Sequence, residues 1–188
     1  MKTVKTRRTF RRFDQSLPIP NEVVKNLREA VRFSSSARNA QTLKVIFAQS
    51  PALVEEIFPY THYAGSLPPE LGQPKEGEHP TLFAIIVSPK HNPYADIDTG
   101  ILATNMTAVA WDHSVGSVIL RNINKKRIGE ILRLDAEHTI NTIVAFGYPT
   151  HKVAVVDVKA DGDTNYYLDD KKNYVVPKKS VETLTEVR

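Results

Sequence analysis

The 188-residue sequence contains no cysteine. That excludes disulfide scaffolds, thiolate nucleophiles, thiolate zinc sites and cysteine-ligated iron–sulfur clusters. It also lacks a long hydrophobic run. The longest, Leu82–Val87, is six residues, far short of the roughly 20 that a membrane helix needs. Neither Gly-x-Gly-x-x-Gly nor Gly-x-x-x-x-Gly-Lys-Ser/Thr occurs, so both common nucleotide fingerprints are missing. The six histidines form no His-x-x-x-His pair, and no metal site is expected. Ser35 and Ser36 sit in no nucleophile elbow, and Asp96-x-Asp98 reads better as helix-start caps than as an acid–base pair. With no side-chain set suited to covalent chemistry, the sequence favours a borrowed cofactor or a pure binding function.

What is present is an ordinary globular composition, 41% hydrophobic and 24% charged. The length fits a single domain, residues 1–188, able to bury its own core. The opening Met1–Arg8 carries charge with no apolar stretch behind it, so the expectation is a cytoplasmic protein without a secretory signal. Charge is unevenly placed. Lys2, Lys5, Arg7, Arg8, Arg11 and Arg12 precede the first acidic residue, Asp14, and the rest of the chain sets 19 basic residues against 21 acidic ones. The basic excess therefore belongs to the N-terminal segment, which is either an anion-binding element or a solvated arm. Nucleic acid, a membrane surface and a phosphorylated small molecule are the candidate anions.

Spacing narrows the choice. If Arg7–Phe13 is extended, positions 7, 9, 11 and 13 project to one side, presenting Arg, Thr, Arg and Phe. Two forked donors, a hydroxyl and an apolar anchor suit one compact phosphate. A nucleic-acid arm fits less well, because Phe10 and Phe13 lie among the charges and the remaining body is slightly acidic.

Further along, Pro20 is placed as a first helical residue, and Asn21–Phe33 has the apolar spacing of an amphipathic helix. Ser34–Gln41 reads as a polar loop and Leu43–Ala48 as a strand. Ser50-Pro51 opens a short helix through Ile57. Residues 59–80 hold five of the twelve prolines and no periodicity, which predicts an irregular binding loop or linker. Thr81–Ser88 reads as a strand buried on both faces. Asp96 and Asp98 are expected to cap a helix from about Thr99 to Ser114 that is apolar around most of its circumference and suited to a centre or an interface. Strands are expected at Ser117–Leu120, Ile140–Phe146 and Val153–Val158, with a helix between Asn124 and Leu132. Asn165–Val176 reads as strand broken by a turn, inside a C-terminal extension over 160–188. The fold class predicted is α+β around a mostly antiparallel sheet.

Taken together, three segments resemble the FMN-dependent nitroreductase family. Arg7-Arg8-Thr9-Phe10-Arg11 is similar to the family's opening Arg-x-Ser-x-Arg/Lys, with Thr9 in place of the commoner serine. Ser34–Gln41 is similar to its Pro-Ser-x-x-Asn-x-Gln-Pro-Trp, with Arg38 at a commonly small position and Thr42-Leu43 in place of Pro-Trp. The third runs from Asp98 through the central helix and Val115-Gly116-Ser117 to Val144-Ala145-Phe146-Gly147-Tyr148-Pro149. Val176-Pro177-Lys178-Lys179 is a weaker fourth match, where the family often supplies another phosphate-binding cation.

The resemblance implies a nitroreductase-like fold, with a sheet flanked by helices in an intertwined homodimer, and FMN as cofactor. It implies that Arg7, Arg8, Thr9, Arg11 and Lys178 surround the phosphate and adjoining flavin edge, Arg11 lying nearer the pyrimidine side. Ser35, Ser36, Asn39 and Gln41 would line the ribityl chain and ring from the second subunit, and Leu120-Arg121 would pass the N5 edge. Taken singly, Ser35 and Ser36 are also plain helix-end caps, Asn39 a turn residue and Lys178 a solvated charge. The implied activity is ping-pong hydride transfer from NAD(P)H to nitroaromatic or quinone-like acceptors, with no membrane partner and nucleic acid unexpected. The alternatives are a flavin-binding member without robust reductase turnover and a nucleic-acid-binding protein using the basic N-terminal arm.

Overall fold

The computed structural model describes residues 1–159 and 162–188, so the first two positions of the expected C-terminal extension lie outside the described residues. The elements in chain order are α1 (Lys2–Thr6), α2 (Asn21–Phe33), β1 (Lys44–Ala48), α3 (Pro51–Ile57), α4 (Pro69–Gly72), β2 (Leu82–Pro89), α5 (Ala95–Asp112), β3 (Gly116–Leu120), α6 (Lys125–Ile131), β4 (His138–Gly147), β5 (Val153–Asp157), β6 (Tyr167–Leu168), β7 (Tyr174–Lys178) and α7 (Val181–Leu184). Among the described residues, no helix is long and apolar enough to cross a membrane.

The main sheet has the order β1-β2-β4-β3, and every neighbouring pair is antiparallel. Its central strands are buried on both faces because period-2 alternation puts apolar side chains on each. Phe83, Ile85, Val87, Ile143 and Ala145 face one core, together with Val54 of α3 and Ile128 of α6. Leu82, Ala84, Ile86, Val144 and Phe146 face the other, under Val23 and Leu27 of α2 and Leu102, Ala103 and Met106 of α5. Helices on both sides of an antiparallel sheet give the α+β class expected. A bulge shifts the β2–β4 register between Ile86 and Val87. Asn141 then bridges strand and helix, accepting from Ser88 at 3.2 Å and donating to Thr99 at 3.3 Å.

A second, three-stranded sheet pairs β7 with β5 in parallel and with β6 antiparallel. Of the strand expected over Asn165–Val176, only Tyr167–Leu168 and the start of β7 are regular. Asp169 caps the intervening turn by accepting from the Lys171 and Asn173 N–H groups at 2.9 and 2.7 Å.

Helix α5 begins at Ala95, earlier than the two aspartates predict. Asn92 does the work of initiation: its carboxamide oxygen accepts from the Tyr94 N–H at 3.0 Å, and its carbonyl accepts from Ala95. Asp96 and Asp98 therefore lie in the first turn, where their charge complements the helix dipole. They are not caps. Residues 59–80 are also better ordered than predicted, with α4 inside them and Thr61, Tyr63 and Ala64 buried.

Candidate flavin site

The N-terminal segment is fixed by its two phenylalanines. Phe10 and Phe13 are 5% and 0% exposed. They enter the core at the end of the β3–β4 pair, where the partners Gly116 and Gly147 leave room. A Cβ on Gly147 would lie 2.7 Å from Phe13, and one on Gly116 would lie 2.9 Å from the Phe10 ring. Backbone bonds complete the docking: Phe10 N–H donates to Ser117 at 2.9 Å, and Asp14 N–H to Tyr148 at 2.8 Å. Phe13 thus belongs to the core rather than to the cationic side where simple alternation puts it. The opposite-phase Arg8 joins that side instead.

On either side of Phe10, Arg7, Arg8, Thr9 and Arg11 line a cavity of about 220 Å³, closed opposite by Tyr166, just before β6, and by Val153, Val176 and Lys178 of the second sheet. None of these lining residues is acidic. Arg7 donates to the Thr107 hydroxyl at 2.8 Å, and Arg8 donates to the Val4 carbonyl at 2.7 Å. Burial, and then the neighbouring Arg8 charge, lowers the Arg7 pKa. Burial likewise lowers that of Arg11, opposed by the Tyr166 and Tyr174 phenol groups and by a side-chain hydrogen bond with Tyr166. Among the described residues, Arg8 Nε and Arg11 Nη1 are buried with no hydrogen-bond partner. Buried guanidinium N–H groups without acceptors are costly. A cavity with four cationic neighbours and two such donors is chemically incomplete without an anion, and a phosphomonoester fits that donor set.

Beneath it, His151 packs between Phe10 and Tyr174, with ring centroids 5.5 and 5.0 Å away. Burial, and then the Arg12 and Arg11 charges, depress its pKa to about 4, so it is neutral at physiological pH.

The second group of expected residues forms a different cavity. Ser35, Ser36 and Gln41 line about 170 Å³ together with Ser34, Asp98 and Leu102. Asn39 stays outside the lining, in contact with Gln41 at 3.3 Å. The loop is tightly wound: Arg38, Asn39 and Gln41 have φ of 58°, 53° and 50°, a region non-glycine residues seldom adopt. Local bonds hold it there. Ser36 Oγ accepts from Gln41 N–H at 3.1 Å, and Asp98 accepts from Ala37 N–H at 2.8 Å. Asn105 donates to Ser34 Oγ at 2.9 Å.

Leu120 and Arg121 line neither cavity. Leu120 is buried, its carbonyl accepting from Thr142 at 2.7 Å, while Arg121 is exposed and paired with Asp96 at 3.1 Å. Sequence reasoning missed Tyr166 and Val153, because no motif marks residues that reach the cavity from within or beside a second sheet. It also missed Asp98 as a lining residue, having read it as a cap.

A helix-flanked antiparallel sheet whose basic N-terminal segment walls a cavity is the architecture at hand. The nitroreductase family model matches residues 4–148, and the chain belongs to that family. Solved structures of similar fold include an FMN-dependent nitroreductase from Clostridium difficile R20291, at 19% identity and TM-score 0.66, covering 80% of this chain and 87% of that one. A nitroreductase family protein from Clostridium novyi NT matches at 17% identity and TM-score 0.64, over 97% of this chain and 96% of the other. The NADPH:FMN oxidoreductase from Vibrio harveyi, complexed with NAD+, matches at 18% identity and TM-score 0.64, over 80% and 68%. The search of curated proteins returned no match.

Proposed function

We propose that this chain is an FMN-dependent NAD(P)H oxidoreductase that works as one domain within a homodimer. The observation that carries the reading is the cavity walled by Arg7, Arg8, Thr9, Arg11 and Lys178, with two buried guanidinium donors awaiting an acceptor. In this reading Arg7, Arg8 and Lys178 neutralise the FMN phosphate, Thr9 offers its hydroxyl, and Arg11 holds a positive charge toward the adjoining flavin edge. When bound, FMN supplies hydride transfer at N5 between NAD(P)H and a nitroaromatic or quinone-like acceptor in ping-pong order. The protein's part is binding, orientation and charge. A fixed cation near a ring that gains negative charge favours reduction without any acid–base residue. Ser35, Ser36, Asn39 and Gln41 would hold the ribityl chain and ring, and the Leu120-Arg121 backbone would run by the N5 edge.

Helix α5 supports the two-subunit arrangement. Thr107 holds Arg7, whereas Asn105 holds Ser34. Residues two apart on a helix point about 200° from each other, so one chain turns its two cavities to opposite sides of α5. A single flavin touching both residue sets takes one set from each of two chains. Ile97, 65% exposed on α5, then lies in apolar surface that a partner would cover.

The test is titration of the purified protein with FMN, followed by quenching of free flavin fluorescence and by visible absorbance. Micromolar or tighter uptake is expected, and Arg11→Ala should weaken it roughly 10- to 100-fold. A wild-type protein that takes up no FMN defeats the reading. Uptake without NAD(P)H oxidation in the presence of a nitroaromatic or quinone would restrict the function to flavin binding.

A further inference from the structure

Arg11 is a half-buried cation that makes no ion pair among the described residues. Its compensation is aromatic: the guanidinium carbon lies 4.2 Å from the Tyr166 ring centroid and 4.7 Å from that of Tyr174. The two rings meet at 5.9 Å and 52°, forming a corner. Tyr174 is its inner wall, fully buried in β7 and packed on His151. Tyr166 is the outer wall, half-buried and outside any strand, and its hydroxyl accepts from the Ser66 N–H at 3.2 Å. The neighbouring Arg12 ties the same hairpin down by donating to the Lys172 carbonyl. Faces of aromatic rings attract a guanidinium without using up its N–H donors. A carboxylate partner would take those donors away from a ligand. Here Arg11 Nη1 remains unpartnered beside the cavity that Tyr166 also lines.

We propose that Tyr166 is a positioning residue for the anion site: with Tyr174 it holds Arg11 in an aromatic corner, leaving Nη1 free for the bound ligand. The inference rests on the flavin reading above and adds to it a residue just before β6. It also connects residues 59–80, through Ser66, to the cofactor cavity.

A double-mutant cycle on the full-length protein tests this, with the FMN dissociation constant as readout. Tyr166→Leu keeps apolar bulk but removes the π face, and it should weaken FMN binding about tenfold. Tyr166→Phe keeps the face and gives up the hydroxyl's bonds to Ser66 and Arg11, so if the π face does the positioning it should bind within about twofold of wild type. In an Arg11→Met background, Tyr166→Leu should have no further effect, because the group it positions is gone. Unchanged binding in Tyr166→Leu overturns the inference. So does a loss that simply adds to that of Arg11→Met, the signature of a general structural role. A wild-type protein that binds no FMN overturns the flavin reading itself, a result distinct from either.

Discussion

The basic segment and the Ser34–Gln41 loop each present polar groups to a cavity, but they are held in opposite ways. Residues 7–13 are extended and anchored at long range, by phenylalanines pressed onto Gly116 and Gly147 and by bonds to Ser117 and Tyr148. The loop is anchored by hydrogen bonds and pays for its shape in backbone conformation, with three non-glycine residues at positive φ. The first derives its rigidity from the core, the second from strain balanced by local bonds. A charged donor gains from the core's stiffness, since a guanidinium held in place loses little further entropy on binding.

This contrast can be broken at the core end first. Phe13→Ala should cost about 3–5 kcal/mol of stability, as for other large-to-small changes at fully buried sites. Denaturant unfolding measures it, and a loss below about 1 kcal/mol would mean the segment is not held by its anchors. Acid attacks the same joint. His151 has a folded pKa of about 4 against 6.5 unfolded, so the neutral form is favoured in the native state and its full contribution is present above pH 6.5. As pH falls from 6.5 to 4, the unfolded chain takes up a proton that the folded chain refuses, and stability drops by on the order of 3 kcal/mol. His151→Leu should flatten that limb of the stability–pH curve. The smallest effect belongs to the loop. Arg38→Gly relieves a φ of 58° while adding unfolded-state entropy, and these offset to within about 1 kcal/mol. A larger loss would show that the Arg38 side chain, rather than its backbone, holds the loop.

Much of the fold was legible because its signals are local. Pro20 and the 3.6-residue spacing of Val23, Leu27 and Ala30 marked α2 at its observed bounds, and the apolar run at Leu82–Val87 marked the central strand. Of the cationic residues of the first cavity, spacing alone grouped Arg7 and Arg11, whereas Arg8, of opposite phase, and the distant Lys178 were reached only through the family resemblance. What escaped depends on distant partners. The start of α5 was misjudged because Asn92, not either aspartate, opens it. Helix α1 carries no buried residue and gave no apolar period to read. The parallel pairing of β5 with β7, which carries Lys178 and Tyr174 to the basic segment, joins residues some twenty positions apart without a recognisable motif.

The chain's only tryptophan, Trp111, stacks on Phe10 at 5.2 Å and 18° and donates its indole N–H to Thr6 at 2.9 Å. Nature has thereby placed a single intrinsic fluorophore on the hinge pin of the arginine-bearing strand. Indole emission should therefore change whenever that segment is displaced from the core, a readout that needs no label and meets no second indole.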